Sequence, residues 1–125
     1  MEINYNKIII DLMGILPTVI VHEYNYQFNP SLNGLRIIEK ENFNPRLNLN
    51  QLYSLVTYLD KVYKIKVLHL IYEESGISLN NNRKYKLRFS MYNGFFEFIV
   101  NADNLVDLFY NMFQTIINNK GYINV

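Results

Sequence analysis

The stretch KYKLRFSMYNGFFEFIVNADNLVDLFYNMF, Lys84 to Phe113, restricts the fold more than any other part of the chain. At its centre Asn93-Gly94 supplies two residues that tolerate positive φ, which a two-residue type I′ hairpin turn requires. Counting outward sets Tyr92 opposite Phe95, Met91 opposite Phe96, Ser90 opposite Glu97, Phe89 opposite Phe98 and Leu87 opposite Val100. Side chains of a strand alternate between faces, so Leu87, Phe89, Met91, Phe96, Phe98 and Val100 form an apolar core side. Lys86, Arg88, Ser90, Tyr92, Phe95, Glu97 and Ile99 form the other face. Asn101 or Asp103 then caps a helix whose Leu105, Leu108, Phe109, Met112, Phe113 and Ile116 point inward. Lys120 and Gly121 end it with suitable chemistry.

The remainder is read against this hairpin. Asn4 or Asn6 caps a first helix with Ile8, Ile9, Leu12, Met13 and Leu16 at helical spacing, and Pro17 marks its exit. Thr18 to Phe28 alternates as one strand, with Ile20, His22, Tyr24, Tyr26 and Phe28 on one side. A turn-rich NPSLNG leads to a short strand at Leu35 to Lys40, and the polar ENFNPRLNLN connects onward. Asn48 or Asn50 caps a second helix striped by Leu52, Leu55, Val56, Leu59, Val62 and Tyr63. The stripe continues through Val67, Leu70 and Ile71 to Gly76, so one long helix is expected, although KIKVLHLIY also reads as a buried strand.

The expectation is an α+β fold over residues 1–125 as a single domain, in the order α-β-β-α-β-β-α. About four antiparallel strands form the sheet, with helices packed on one face. Asn33 to Leu59 also echoes Asn93 to Phe113. Each reads as an Asn-Gly turn, a strand, an Asn-bearing cap and a Leu-x-x-Leu helix, a match that duplication or simple strand–helix grammar would produce.

Composition narrows the chemistry. There is no cysteine, so thiolate metal sites, disulfides and a cysteine nucleophile are excluded. His22 and His69 are the only histidines and form no H-x-x-x-H or H-E-x-x-H pair. The five glycines stand singly, and neither a G-x-S-x-G elbow nor a phosphate-cradling glycine cluster occurs. The expectation is therefore a protein with no catalytic residues, metal or cofactor. Glu2 and Asp11 argue against a signal peptide at the start, and no apolar run reaches the length of a membrane span. A cytoplasmic protein is expected, or one in the host cytoplasm if the source is viral.

Two features remain for function. Arg83, Lys84, Lys86 and Arg88 cluster, with Tyr92 and Phe95 further along the same predicted face, as in a surface that holds phosphates and stacks bases. The formal net charge of +1 lacks the cationic excess of most nucleic-acid binders. Eleven tyrosines, Tyr24 and Tyr26 among them, suit an interface with another protein. Nineteen asparagines beside a single alanine, Ala102, give an AT-rich signature common in phages, viruses and mobile islands. The reading that follows is a small protein-binding domain that occludes a partner stoichiometrically, as a toxin-immunity protein or an inhibitor of host defence does. A nucleic-acid-binding module on the basic and aromatic face is the alternative, and a homodimer is compatible with both.

Overall fold

The computed structural model describes residues 2–72 and 85–123. They form an α+β structure with three helices and two three-stranded antiparallel sheets. Helix α1 spans Tyr5–Ile15 and leads to the meander β1 (Val19–Val21), β2 (Asn25–Leu32) and β3 (Leu35–Glu39). Helix α2 (Leu49–Tyr63) leads to a second meander, β4 (Lys66–Tyr72), β5 (Tyr85–Met91) and β6 (Phe96–Ala102), and α3 (Leu105–Asn118) follows.

The expected single sheet of four strands is thus replaced by two sheets of three. Two local causes account for the difference. First, Thr18 to Phe28 is not one strand: the chain reverses at His22 to Tyr24, and Val19, Ile20 and Val21 pair back on Phe28, Gln27 and Tyr26. Second, α2 stops at Tyr63 instead of running on. Lys64 takes a left-handed conformation (φ 58°), and the N–H groups of Lys64 and Ile65 close onto the carbonyls of Asp60 and Leu59. The β-branched and aromatic residues that follow then pair with β5, because a two-stranded hairpin alone leaves an edge open and is marginal in water.

Phe96 and Leu105, expected to point inward, are exposed, whereas most of the hairpin register holds. The pairs Met91–Phe96, Ser90–Glu97, Phe89–Phe98 and Leu87–Val100 form in the expected register. Asn4 and Asn48 cap α1 and α2, each side chain accepting from the backbone N–H three residues on. For α3 the cap is Asn104, one residue beyond Asp103, with its side chain accepting from the N–H of Asp107 at 2.9 Å. The NPSLNG segment belongs largely to β2, which carries Pro30 on a cis bond, and only Asn33-Gly34 makes the turn.

The echo between the halves has a structural counterpart. Both Asn-Gly pairs adopt positive φ (47° and 89°; 56° and 86°), each joins the second and third strands of its meander, and each third strand leads to an Asn-capped helix. One hydrophobic cluster runs through the whole, from Leu12 and Met13 of α1 through Phe28, Leu55 and Tyr63 to Phe89 and Phe113. Helix α3 packs on β5 and β6, α2 on β2 and β4, and α1 on α3 and β1.

Candidate interface at the hairpin tip and the outer sheet face

The β5–β6 hairpin ends in a group of aromatic rings. Asn93 and Gly94 form the turn, closed by the Phe95 N–H donating to the Tyr92 carbonyl at 3.1 Å. Tyr92 is also left-handed, at φ 56°, which a bulky residue rarely adopts. Simple alternation would leave its ring on the Lys86–Arg88 face. Instead the ring meets Phe95 at 5.7 Å, Phe96 at 6.0 Å and Tyr122 at 6.0 Å, and Phe96 lies 4.3 Å from Tyr122. All four rings face solvent: Phe95 is 76% exposed, Tyr92 43%, Tyr122 39% and Phe96 38%. Tyr122, from a short 3-10 turn after α3, escapes sequence reasoning because nothing local ties it to the hairpin.

The face of β4, β5 and β6 that carries Arg88 is mixed rather than basic, and Ser90 on it is buried. Across the strands Lys66, Ser90 and Glu97 form one row, His69, Arg88 and Ile99 a second, and Ile71, Lys86 and Asn101 a third. Glu97 therefore stands opposite Ser90 and not Arg88, whose neighbour across the ladder is the exposed Ile99. Among the described residues no ion pair forms on Arg88. Arg83 of the basic cluster and Lys84, expected on this face, lie outside the described residues, as does Gly76, the expected end of the second helix.

Tyr24 and Tyr26, expected to share one strand face, are separated. Tyr24 is exposed at the turn between β1 and β2, whereas Tyr26 is a core residue whose ring packs edge-on against Phe43. Burial raises the Tyr26 hydroxyl above its ordinary pKa, so its part is packing. The two histidines sit in different parts of the fold, His22 in the turn after β1 and His69 in β4. His22 is exposed and its Nε2 meets Gln27 Oε1 at 2.8 Å; His69, expected on a helix, is an exposed residue of β4. Among the described residues, no cluster of three His, Asp or Glu is placed to hold a metal ion. No helix there is long and apolar enough to cross a membrane.

A second feature lies along the other border of β6. An open groove of about 810 Å³ separates β6 from the first turns of α1, with α3 beneath. At its end the Tyr5 hydroxyl donates to the Asp107 carboxylate, which also accepts from the Asn104 amide. That bond to an anion raises the Tyr5 pKa, since ionisation would set two negative charges together. The Arg46 guanidinium stacks over the Tyr5 ring at 4.1 Å. Behind it Tyr110 is pushed up to about 12 by burial. Sequence reasoning missed the groove because its walls come from the two ends of the chain. Compared with family models, with curated proteins and with solved structures, the chain matches none.

Proposed function

We propose that the protein is a non-enzymatic protein-binding module that occupies its partner's surface stoichiometrically and grips it with the hairpin tip. The observation that carries the reading is the exposed four-ring cluster held around a left-handed tyrosine. A two-residue Asn-Gly turn needs positive φ only at its two central residues, so a left-handed Tyr92 is a further cost of the turn formed here. What it does is carry a large ring to solvent beside Phe95, Phe96 and Tyr122. Rigid aromatic groups that lose little entropy on contact are the usual anchors of protein interfaces.

Nucleic-acid binding is the second reading, favoured by Arg88, which lacks an ion pair among the described residues. It ranks lower because the rows around Arg88 include Glu97 and Ile99, and because Phe96 and Tyr122 already cover one another's faces.

The test is affinity capture from a nuclease-treated lysate of the source cells, run with the native protein, with Tyr92→Asn and with Phe95→Ala. Asn tolerates positive φ, so Tyr92→Asn should keep the turn and the fold while removing the ring. The native chain should retain one partner in stoichiometric amount, and both variants should lose it. A partner held equally by all three would move the interface off the tip. A partner captured only from a parallel untreated lysate, and lost there with Arg88→Glu, would put nucleic acid in its place.

A further inference from the structure

We propose that the edge of β6 that pairs with no other described strand takes up an extended, basic peptide segment of the partner as a further strand of its sheet. This rests on the protein-binding reading of the β5–β6 hairpin and names the chemistry of what the hairpin holds.

Among the described residues β6 pairs only with β5. Every second residue of such an edge turns its N–H and C=O away from the sheet, an invitation to another chain. Edges are commonly defended by bulges, prolines or lysines. The opposite edge, β4, is defended in this way: it begins at Lys66 and carries a bulge between Val67 and His69. Strand β6 has none of these features. Its seven pairs with β5 run without a register shift, and FEFIVNA contains no proline or lysine.

The groove follows this undefended edge. Ile99, Val100, Asn101, Ala102 and Asp103 all line it. Consecutive strand residues point to opposite faces, so the last four residues of β6, Ile99 to Ala102, meet one groove only where it runs along the strand's edge, and Asp103 extends it past the strand's end. Its volume lies within the range of ligand clefts, about 300–1,000 Å³. The Asn101 carbonyl is already taken, accepting from the Asn111 amide of α3 at 3.0 Å, so the strand pairing involves the other edge groups. An extended segment adding to β6 would lie beside α1 and meet the side of the groove formed by Ile3, Asn4, Lys7 and Ile8.

Charge sets the chemistry of the segment. Glu2 and Asp103 line the groove, and Lys7, the one cation lining it among the described residues, is paired with Asp11. A Lys or Arg of the peptide at the Asp103 end complements this rim. At the other end β6 reaches Phe96 and the aromatic tip, which suits an apolar side chain.

The experiment selects a random-peptide display library on the immobilised whole protein and measures the enriched peptides by fluorescence anisotropy. Enriched sequences should place apolar residues at alternate positions with Lys or Arg towards one end. N-methylating alternate amides should lower affinity about tenfold or more in one phase and little in the other, because only one set faces β6. Glu2→Lys with Asp103→Lys should weaken binding, and exchanging the peptide's Lys for Glu should restore it. Peptides indifferent to N-methylation in both phases overturn the inference, and so does a library with no enrichment over a blank surface. If a partner is still captured from lysate and lost with Tyr92→Asn, the tip reading stands while the edge reading falls. If the variants keep their partner, the tip reading falls. Dimers in light scattering that exclude the peptides would give the groove to a second copy, which also overturns the proposal.

Discussion

The sign of one backbone angle separates Tyr92 from the residues it alternates with. Alternation places a side chain only while the backbone stays extended, and at φ 56° Tyr92 leaves that regime and joins Phe96 and Tyr122. The same hairpin holds residues for which alternation suffices. Phe89 is fully buried and stacks on Phe98 at 5.4 Å. Phe89→Ala should therefore cost about 3–5 kcal/mol in chemical denaturation, through lost transfer energy and the cavity left behind. Phe95→Ala, at the solvent-facing tip, should change stability by no more than about 0.5 kcal/mol. Equal losses at the two positions would mean that the tip belongs to the core.

Among the elements, the boundary between α2 and β4 is where sequence pattern misleads. The apolar residues from Leu52 to Ile71 fit a continuing stripe, and what ends the helix is a left-handed lysine, a residue with no intrinsic preference for that conformation. Lys64→Gly should then raise stability by about 0.5–1 kcal/mol, read as a higher denaturation midpoint with an unchanged slope. Lower stability would show that the Lys64 side chain matters more than its backbone. The hairpin register and two of the three helix caps were legible because they depend on residues within a few positions of each other. The split of Thr18 to Phe28 was not, since His22, Glu23 and Tyr24 carry no strong turn signal. Of the candidate site, the exposed Phe95 and Arg88 were legible. The contribution of Tyr122 and the groove between α1 and β6 were not, because both join segments far apart in the chain.

On the scale of the whole molecule, each three-stranded meander is covered by the helix that follows it, and α1 lies against α3. Hydroxyls help hold this assembly at several points. Thr18 Oγ1 meets Tyr58 at 2.7 Å and also bonds Tyr63, Tyr58 and Tyr26 are raised by burial, and Tyr5 is tied to Asp107. A phenol whose pKa is raised on folding ionises more readily in the unfolded chain. Its contribution is whole below about pH 10 and is lost as pH rises through the folded values, up to about 12 for Tyr110. Alkaline unfolding should thus begin near pH 10, with phenolate absorbance and circular dichroism changing together. Ionisation of the buried tyrosines without loss of structure would contradict this.

The docking of α1 on α3 also has a kinetic consequence. All four strand pairings among the described residues join neighbours in sequence, whereas the Tyr5–Asp107 bond links residues 102 apart. Loop-closure entropy favours early formation of the two meanders and leaves the amino-terminal helix to arrive after the rate-limiting barrier. Core truncations in that helix, such as Leu12→Ala, should then speed unfolding and leave the refolding rate nearly unchanged in stopped-flow chevrons. A comparable fall in the refolding rate would instead place both ends of the chain in the folding nucleus.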